Sequence, residues 1–403
     1  MTEAAAPRIR VVITGLGMVS SLAPDREGTW SAMLAGRDGL GPLTRLDLPL
    51  EPARIAGEVP IAHGRHQTHC EAMALRALGE ALDQALGGLD PGCDPRRVGV
   101  FQGAGTSGLP VAEAYLADLL QGRHRPAAAV VQQSACTVTD ALAHRLGALG
   151  PRGTVMNACS SSLLALGQAW ERIAAGELDL AVAGGAEGLS ITTFAGFSCL
   201  RAVDPAKCRP FSRDRAGLNL GEGAAQFLLE PLDRARARGA AILGEVLGYG
   251  ASMDAHHPTA PHPEGEGAAR ALVMALRTGR LAAEEVDLVS AHGTATPAND
   301  GAECRAIRRA LGPAADQVSV TSSKSQFGHT LGASGAFATA TALLALRDQV
   351  VSPTLRLEDP DPACDLDCTP LVPRERLLRA ALVNAFAFGG NNVSLALRRW
   401  EGR

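Results

Sequence analysis

Two stretches of the chain, residues 154–176 (TVMNACSSSLLALGQAWERIAAG) and 318–348 (VSVTSSKSQFGHTLGASGAFATATALLALRD), share one pattern. Each begins with a short β-rich run, passes through small and polar residues, and continues into a long Ala/Leu-rich stretch typical of a helix. Each is then followed by a strand-like run that ends in glycines, LAVAGG at 180–185 and LVNAFAFGG at 382–390. The repetition predicts two similar halves, with the beginnings of the two long helices near the centre of the molecule.

The alternation of β-rich and helical segments runs the whole length of the chain. Several of the β-rich runs are apolar throughout, as buried parallel strands are, which is typical of sheets covered by helices on both faces. The pattern predicts an α/β fold, with a first half at 1–240 and a second half at 241–403. The predicted strands are residues 9–14, 98–101, 154–157, 178–183, 224–229, 286–290, 318–321 and 381–384.

Composition excludes several classes of protein. The 403 residues are 46% hydrophobic and 20% charged with a net charge of −4, so neither nucleic acid nor a membrane is an expected partner. The first residues, MTEAAAPRIRVVITGLG, lack the basic-then-apolar order of a secretion signal, and we expect a cytoplasmic protein. Its nine cysteines are then expected to be reduced, so a conspicuous one is a candidate nucleophile. Cys364 and Cys368 have no second pair or histidine near them in the sequence, and no metal site is expected.

Cys159 is the first candidate catalytic residue. It lies between a predicted strand and a predicted helix, where unpaired amide hydrogens and the helix dipole favour a thiolate. We therefore expect its pKa to lie below the usual value of about 8.5. The alternative, equally weighted on this evidence alone, is that Cys159 is a small buried apolar residue.

Two histidines and a lysine extend this candidate site. His292 follows a predicted strand directly, and His329 lies between a glycine and a run of small residues that leaves room for a ligand. Only two of the 38 basic residues are lysines, Lys207 and Lys324. A lysine kept in such a chain indicates a need for a compact ammonium group that arginine does not supply. Each histidine alone is more often structural, but together these residues predict one site.

These residues lie in motifs that resemble the active-site motifs of β-ketoacyl-acyl-carrier-protein synthases, of the elongating type and its type II polyketide relatives. The motifs are NACSSS around Cys159, AHGTATPAND around His292, and KSQFGHTLGASGA with Lys324 and His329. The resemblance covers nearly the whole chain and implies a thiolase fold with duplicated halves in a layered αβαβα arrangement. Its other segments, in order, are VVITGLGMVSSLA, LAGRDGL, AGGAEG, CRPFSRDRAGLNLGEGAA, DAHHPTAPHPEGEG, PTLRLEDPDPACDLD and NAFAFGGNN.

The resemblance also implies a reaction and its partners. Cys159 would accept an acyl group from a carrier protein, and a malonyl-type extender would lose carbon dioxide and attack the Cys159 thioester. His292 and His329 would stabilise the enolate, and the backbone amides of Cys159 and Phe388 the second oxyanion. No cofactor is implied, since acyl chains arrive on the phosphopantetheine of the acyl carrier protein, and the expected assembly is a homodimer or a ketosynthase heterodimer. The implied supporting residues are Glu303 as partner of Lys324, with Asp300, Thr294 and Thr296.

The chain departs from the family pattern at several positions. Thr106, in GAGTSG, stands where a bulkier aliphatic residue often gates the acyl pocket, and Ser162 stands where glycine often follows the nucleophile. Ala387 replaces a glycine beside Phe388, which predicts a stiffer loop. For carrier docking, Arg201 aligns with a basic residue of the family. The stretch IAHGRHQTHC offers His63, His66 and His69 instead of lysines, and an ordinary solvated face is at least as good an interpretation of it.

Two other functions remain open at this point. The first is an acyltransferase or thioesterase-like enzyme that uses Cys159 without decarboxylation, and retention of both histidines and of Lys324 argues against it. The second is a catalytically silent partner subunit of a ketosynthase heterodimer, and the intact Cys159 argues against that. The unusual pocket and the lysine-poor docking stretch favour polyketide or polyene synthesis over fatty-acid synthesis.

Overall fold

The computed structural model describes residues 8–48, 55–64, 67–87, 92–124 and 131–402. Among these residues no helix is both long enough and apolar enough to cross a membrane. Numbered in chain order, the strands are β1 (Val11–Val19), β2 (Gly41–Pro42), β3 (Ile55–Gly57), β4 (Val98–Gly103), β5 (Arg152–Val155), β6 (Leu180–Glu187), β7 (Leu220–Gly221), β8 (Gly223–Pro231), β9 (Gly244–Met253), β10 (Val286–Ser290), β11 (Ser319–Thr321), β12 (Val350–Val351), β13 (Arg374–Glu375), β14 (Ala380–Ala387) and β15 (Asn391–Arg399). The α-helices are α1 (Arg26–Leu34), α2 (His69–Leu86), α3 (Leu109–Leu120), α4 (Thr137–Leu146), α5 (Ser161–Ala174), α6 (Ile191–Cys199), α7 (Leu232–Ala237), α8 (Glu266–Gly279), α9 (Asn299–Leu311), α10 (Lys324–Phe327) and α11 (Ser334–Asp348).

Ten of the strands form one sheet in the order β11-β10-β14-β15-β9-β1-β8-β6-β4-β5. From the centre outwards, the first half contributes its first, fifth, fourth, second and third strands, and the second half contributes its own five in the same sequence. The two blocks meet where β1 pairs antiparallel with β9. The identical strand orders confirm the duplication that the sequence predicts. We propose residue 240 as the last of the first half, in the segment 238–243 that lies between α7 and β9 and contains no helix or strand.

Every predicted strand is present, but the sheet is mixed rather than parallel. In the first block β4 runs parallel to β5 and β6, whereas β8 runs antiparallel to both β6 and β1. In the second block β10 runs parallel to β11 and β14, whereas β15 runs antiparallel to β14. A strand that is buried on both faces is apolar throughout in either direction, so the apolar pattern alone does not distinguish the two cases.

Alternating side chains of each block contact different helices. In β6, Ala181 and Ala183 belong to a central cluster with α5 and α11, whereas Leu180 and Val182 pack in an outer cluster with α2 and α4. In β14, the alternate residues likewise divide between the central cluster and an outer cluster with α8 and α9. Outer helices, strands, central helices, strands and outer helices therefore follow one another, which is the expected αβαβα arrangement.

The two central helices meet at their beginnings. The Ser334 hydroxyl, in the first turn of α11, donates a 3.0 Å hydrogen bond to the carbonyl of Cys159, just before α5. The backbone N–H of Ala336 donates to the hydroxyl of Ser162 at 2.9 Å. Gly335 makes this approach possible, because a Cβ there would lie 2.7 Å from the Cβ of Leu163. The segments that precede the two helices, with Cys159 and His329, are thereby brought together.

Candidate active site

One cavity brings together most of the residues that the sequence predicts. Its lining comes from the ends of several elements: Cys159 after β5, His292 after β10, His329 after α10 and Phe388 after β14. Strands β5, β10 and β14 all end at this cavity, as is usual for α/β sheets. Predicted residues that line it are Cys159, His292, His329, Phe388, Thr294, Thr296 and Arg201.

The thiol of Cys159 is held in a sharp turn and shielded from water. Ala158, the residue before it, has a φ of 48°, an unusual value for a residue other than glycine. Burial raises the pKa of the Cys159 thiol to about 11, and the charge of Lys324 and the backbone N–H groups of Cys159 and Phe388 oppose that rise. The predicted low pKa is therefore wrong, because the loss of hydration outweighs the helix and its amides.

His329 presents one nitrogen to the sulfur of Cys159. Its Nε2 lies 3.1 Å from the Cys159 Sγ, while its Nδ1 accepts a hydrogen bond of 3.2 Å from the backbone N–H of Leu331. Burial, followed by the charge of Lys324, lowers the pKa of His329 well below 6.5, so the ring is neutral at pH 7. A neutral imidazole whose Nδ1 accepts carries its proton on Nε2. His329 is therefore a hydrogen-bond donor towards the cavity.

His292 lies edge-on to His329, with the two ring centroids 5.5 Å apart. Burial, then the charges of Lys324 and of His329, lowers the pKa of His292 well below 6.5. Its buried Nδ1 has no hydrogen-bond partner in the part of the chain that the structure describes. Two neutral imidazoles thus lie in one cavity with a thiol, which is an arrangement suited to stabilising a negatively charged oxygen.

Lys324 and Glu303 support the backbone at His292 from two sides. The ammonium group of Lys324 donates to the His292 carbonyl at 2.6 Å, and the two Glu303 oxygens accept the N–H groups of His292 and Gly293, both at 2.8 Å. Burial lowers the pKa of Lys324 to about 8, and the charge of Glu303 is the largest opposing influence. Glu303 therefore acts on Lys324 through its charge. The two side chains form no direct ion pair; the Glu303 oxygens accept the two amides and the side-chain N–H groups of Asn384 and Asn299.

Asp300 and the two threonines shape the turn after His292. Asp300 accepts the N–H of Phe211 at 2.8 Å and that of Ala295 at 3.2 Å, and Ala295 has a φ of 64°. The hydroxyl groups of Thr294 and Thr296 lie 3.0 Å apart and both residues line the cavity. Asp300 fixes the strained turn, and the threonines provide polar groups beside the histidines.

Phe388 and Arg201 lie towards the outside of the cavity. The Phe388 ring stacks on Phe197 with centroids 5.5 Å apart, and Gly389 follows with a φ of 85°. Ala387 has no left-handed backbone conformation, so a side chain is accommodated there without strain. Arg201 is exposed, at the opening of the cavity.

Thr106 is not among the residues that line this cavity. Its hydroxyl group donates to the buried carboxylate of Glu187 at 2.7 Å, and its role in the acyl pocket stays a prediction. Sequence reasoning missed Glu187. An acidic residue that ends an otherwise apolar strand, as in LAVAGGAE, is a signal that would have identified it.

The histidine-rich stretch and the close cysteine pair lie away from this cavity. His63 and His69 contact each other edge-on, and the His69 Nε2 lies 3.2 Å from the buried Glu222; His66 is outside the described residues. Cys364 and Cys368 are buried. Within the described ranges, no group of three or more histidine, cysteine or acidic residues is arranged to hold a metal ion.

Comparison with known proteins decides the family. Residues 9–235 match the beta-ketoacyl synthase N-terminal domain, and residues 243–358 match the beta-ketoacyl synthase C-terminal domain. The chain belongs to the β-ketoacyl synthase family. The 3-oxoacyl-[acyl-carrier-protein] synthase 2 of Synechocystis sp. is 37% identical, over 97% of this chain and 98% of that protein.

Solved structures of β-ketoacyl synthases share the whole fold. The ishigamide ketosynthase/chain length factor is 34% identical with a TM-score of 0.92, and the match covers 98% of this chain and 100% of that one. A chain from the solved complex of a type II polyketide synthase acyl carrier protein with its ketosynthase, bound to the hexaketide, is 28% identical with the same TM-score, and the match covers 98% of this chain and 100% of that one. These matches confirm the thiolase fold and the acyltransferase class expected for a β-ketoacyl synthase.

Proposed function

We propose that this β-ketoacyl synthase elongates acyl chains by decarboxylative condensation between a Cys159-bound acyl group and a malonyl-type thioester on an acyl carrier protein. The single observation that carries the proposal is the geometry at His329. Its Nε2–H is directed at the cavity, 3.1 Å from the Cys159 sulfur, because Leu331 occupies its Nδ1. A fixed donor beside a buried thiol, with a second neutral imidazole next to it, matches the charge that decarboxylation develops on oxygen.

In the first step the Cys159 sulfur attacks the thioester carbonyl of the acyl-loaded carrier. The new carbon–sulfur bond replaces the bond to the carrier, and the thiol proton passes to the departing carrier sulfur. The backbone N–H groups of Cys159 and Phe388 both lower the pKa of the Cys159 thiol, so they favour negative charge at this position. They would stabilise the oxyanion of the tetrahedral intermediate.

In the second step a malonyl-type thioester occupies the cavity beside the acylated cysteine. Its carboxylate leaves as carbon dioxide, and the electron pair moves to an enolate whose oxygen accepts hydrogen bonds from His292 and His329. The enolate carbon then attacks the Cys159 thioester, and the Cys159 thiolate is released and takes a proton from solvent. No cofactor is needed for this sequence, because the carrier-bound substrates supply every bond that forms or breaks.

Two measurements test this proposal. After incubation with an acyl-loaded carrier, mass spectrometry is expected to find the acyl group on Cys159 in the wild type and in Cys199→Ala, which removes an exposed thiol. The Cys159→Ala variant is expected to fold and to carry no label. A label that persists in Cys159→Ala contradicts the nucleophile. An enzyme that is loaded but releases no labelled carbon dioxide from malonyl carrier is an acyltransferase without condensation.

We also propose that carriers dock at the cavity opening around Arg201. Arg201 is exposed there, and its guanidinium group forms no ion pair with a described residue. An acidic carrier would be attracted to such a group. The Arg201→Glu variant is expected to raise the KM for the carrier several-fold at low salt with little change in kcat, whereas Arg270→Glu, on α8, is the control. An unchanged KM for Arg201→Glu contradicts this docking position.

We further propose a dimeric assembly in a polyketide or polyene pathway. One relative's structure pairs a ketosynthase with a chain length factor. Strand β5 lies at an edge of the large sheet, and Met156 directly after it is 62% exposed. An exposed edge strand beside apolar surface favours pairing with another chain. Sedimentation of the purified chain is expected to give a dimer; a monomer that dimerises only with a co-expressed homologue would indicate a heterodimer.

A further inference from the structure

Glu187, at the end of β6, is fully buried and accepts five hydrogen bonds. One carboxylate oxygen accepts the N–H of Thr106 at 2.9 Å, the hydroxyl of Thr106 at 2.7 Å and the N–H of Ser107 at 2.8 Å. The other oxygen accepts the N–H of Gly105 at 2.6 Å and that of Gly332 at 3.1 Å. One side chain of the first half therefore holds a loop of its own half and a turn of the second half.

The backbone around this carboxylate is built for close contact. A Cβ at Gly105 would lie 2.6 Å from a Glu187 oxygen, and a Cβ at Gly332 would lie 2.2 Å from the Gly105 nitrogen. Both distances are too short for any side chain. Two glycines therefore allow a loop of each half to approach the same carboxylate, and the two halves are in direct contact there.

The turn that Glu187 holds is the one that orients His329. Gly332 directly follows Leu331, whose N–H donates to the His329 Nδ1. Leu331 has a φ of 46°, a conformation that a leucine adopts only when its surroundings impose it. The Glu187–Gly332 hydrogen bond lies one residue from this strained position, so it stabilises the conformation that aims the Leu331 N–H at the imidazole.

We propose that Glu187 is a positioning residue for the condensation: by holding Gly332 it keeps the Leu331 N–H on the His329 Nδ1, so that the imidazole presents its Nε2–H to the substrate oxygen. This role rests on the proposed function, since it matters only if His329 donates to a reacting oxygen. Without the hold on Gly332, the turn would relax and the imidazole would lose its fixed tautomer and direction.

The charge of Glu187 can be followed separately from its position, at the Cys159 thiol. In the described part of the chain, no cationic group lies within 4.0 Å of the Glu187 carboxylate, and its charge raises the pKa of the Cys159 thiol while that of Lys324 lowers it. Four of the five donors are backbone N–H groups, which cannot accept a hydrogen bond, and they favour the ionised carboxylate, although burial raises the pKa of Glu187. Alkylation of Cys159 therefore reports on the charge of Glu187, whereas carbon dioxide release reports on its position.

Two variants separate position from charge. Glu187→Asp keeps the charge but shortens the side chain, so the carboxylate oxygen that accepts the N–H groups of Gly105 and Gly332 no longer reaches both of them. Glu187→Gln keeps the length but removes the charge, and its amide N–H groups face the N–H groups of Gly105 and Gly332. The readouts are carbon dioxide release from malonyl carrier and the pH dependence of Cys159 alkylation by iodoacetamide, followed by mass spectrometry. Glu177→Gln, on the surface, is the control, and thermal unfolding checks that each variant is folded.

Glu187→Asp is expected to release carbon dioxide about tenfold more slowly or worse, by analogy with the loss of a partner that orients a metal-binding histidine, with its alkylation profile unchanged. Glu187→Gln is expected to slow release similarly and to move the alkylation profile to lower pH. Wild-type decarboxylation by Glu187→Asp overturns the positioning role, and an unmoved profile in Glu187→Gln overturns the effect of charge. If the wild type itself releases no carbon dioxide, the proposed function fails, while alkylation still tests the charge of Glu187.

Discussion

The ammonium group of Lys324 donates a 2.6 Å hydrogen bond to the backbone carbonyl of His292. Both residues are buried, and the positive charge of Lys324 lowers the pKa of Cys159, of His292 and of His329. A single cation therefore acts on all three groups at once. It adds to burial in keeping the two imidazoles neutral, so that they donate rather than carry charge, and it offsets part of the cost of a buried thiolate.

Replacing Lys324 with methionine removes this cation while retaining an unbranched side chain of similar length. Because the Lys324 charge lowers the pKa of Cys159, we expect Lys324→Met to raise that pKa above its value of about 11. Alkylation of Cys159 at a fixed pH near 9 should become slower. Carbon dioxide release should fall by roughly a hundredfold, the lower range for a group that stabilises developing charge. Mass spectrometry of the Cys159 peptide and radiolabelled malonyl carrier provide the two measurements.

The other lysine of the chain is the matched control for this change. Lys207 is partly exposed and pairs with Asp38 at 2.9 Å, away from the cavity. Lys207→Met should leave both alkylation and carbon dioxide release at wild-type rates. Equal losses in the two variants would show that the chain needs lysine at both positions for its fold, and the role of Lys324 at the site would then be unsupported.

Replacing His329 with alanine separates condensation from acyl loading. The variant loses the Nε2–H donor beside the Cys159 sulfur, and loss of one such donor costs about 10²–10³-fold in kcat for the step that it stabilises. The amides of Cys159 and Phe388 remain, so acyl transfer to Cys159 should fall much less. His144→Ala, at an exposed position of α4, is the control. Equal falls in loading and in carbon dioxide release would indicate that His329 instead acts on the thiol.

Much of this architecture follows from the sequence pattern alone. Apolar β-rich runs predict the eight strands, because strands that are buried on both faces are apolar throughout. Repeated strand–loop–helix units predict the duplication. The pairing directions do not follow, since β8 and β6 are equally apolar whether parallel or antiparallel. Of the ten strands in the large sheet, the pattern does not predict β9 and β15; alternate residues of β9 are only partly buried, which weakens its apolar signal.

The sequence likewise predicts part of the candidate site and not the rest. Cys159, His292, His329 and Lys324 stand out because each polar group lies at the end of an apolar segment. The pKa of Cys159 depends on how deeply the fold buries it. The orientation of His329 depends on a turn whose Gly332 is held by Glu187, 145 residues before Gly332 in the chain. Such long-range contacts leave no local pattern, and only the folded chain reveals them.

The pH dependence of condensation should follow Lys324 on the alkaline side. Burial lowers the pKa of Lys324 to about 8, so its charge is present at pH 7 and lost as the pH rises through about 8. The rate of carbon dioxide release should fall over that range, and Lys324→Met should lack this fall. Both histidines are already neutral at pH 6.5 because burial lowers their pKa values, so no loss of rate from their protonation is expected between pH 8 and 6.5. A fall centred near pH 6.5 would contradict neutral histidine donors.

The lowered pKa of Lys324 also predicts how the stability of the chain depends on pH. The rate should fall as the pH rises through about 8, whereas the stability should increase relative to the Lys324→Met variant. The pKa of Lys324 is lower in the folded chain than the ordinary 10.5 expected for the unfolded one, so the folded chain binds fewer protons between about pH 8 and 10.5. Its burial is therefore destabilising below pH 8, and that penalty decreases as the pH rises towards 10.5. Urea unfolding measures the free energy of unfolding of Lys324→Met and of the wild type. The value for the variant minus that for the wild type should decrease as the pH rises over this range. A constant difference would mean that folding does not lower the pKa of Lys324.

Substitutions on either side of Phe388 test whether the loop after β14 is stiffened by Ala387. Because Ala387 has no left-handed backbone conformation, Ala387→Gly relieves no strain and only adds conformational freedom to the unfolded chain. We expect it to lower the free energy of unfolding by about 0.4–1 kcal/mol. Gly389, with a φ of 85°, is the contrasting position, and Gly389→Ala should cost about 1–2 kcal/mol because an alanine is strained there. Urea unfolding of both variants measures the two values. A gain in stability for Ala387→Gly would mean that the methyl group strains the loop, and that Phe388 is held in place at a cost which glycine avoids.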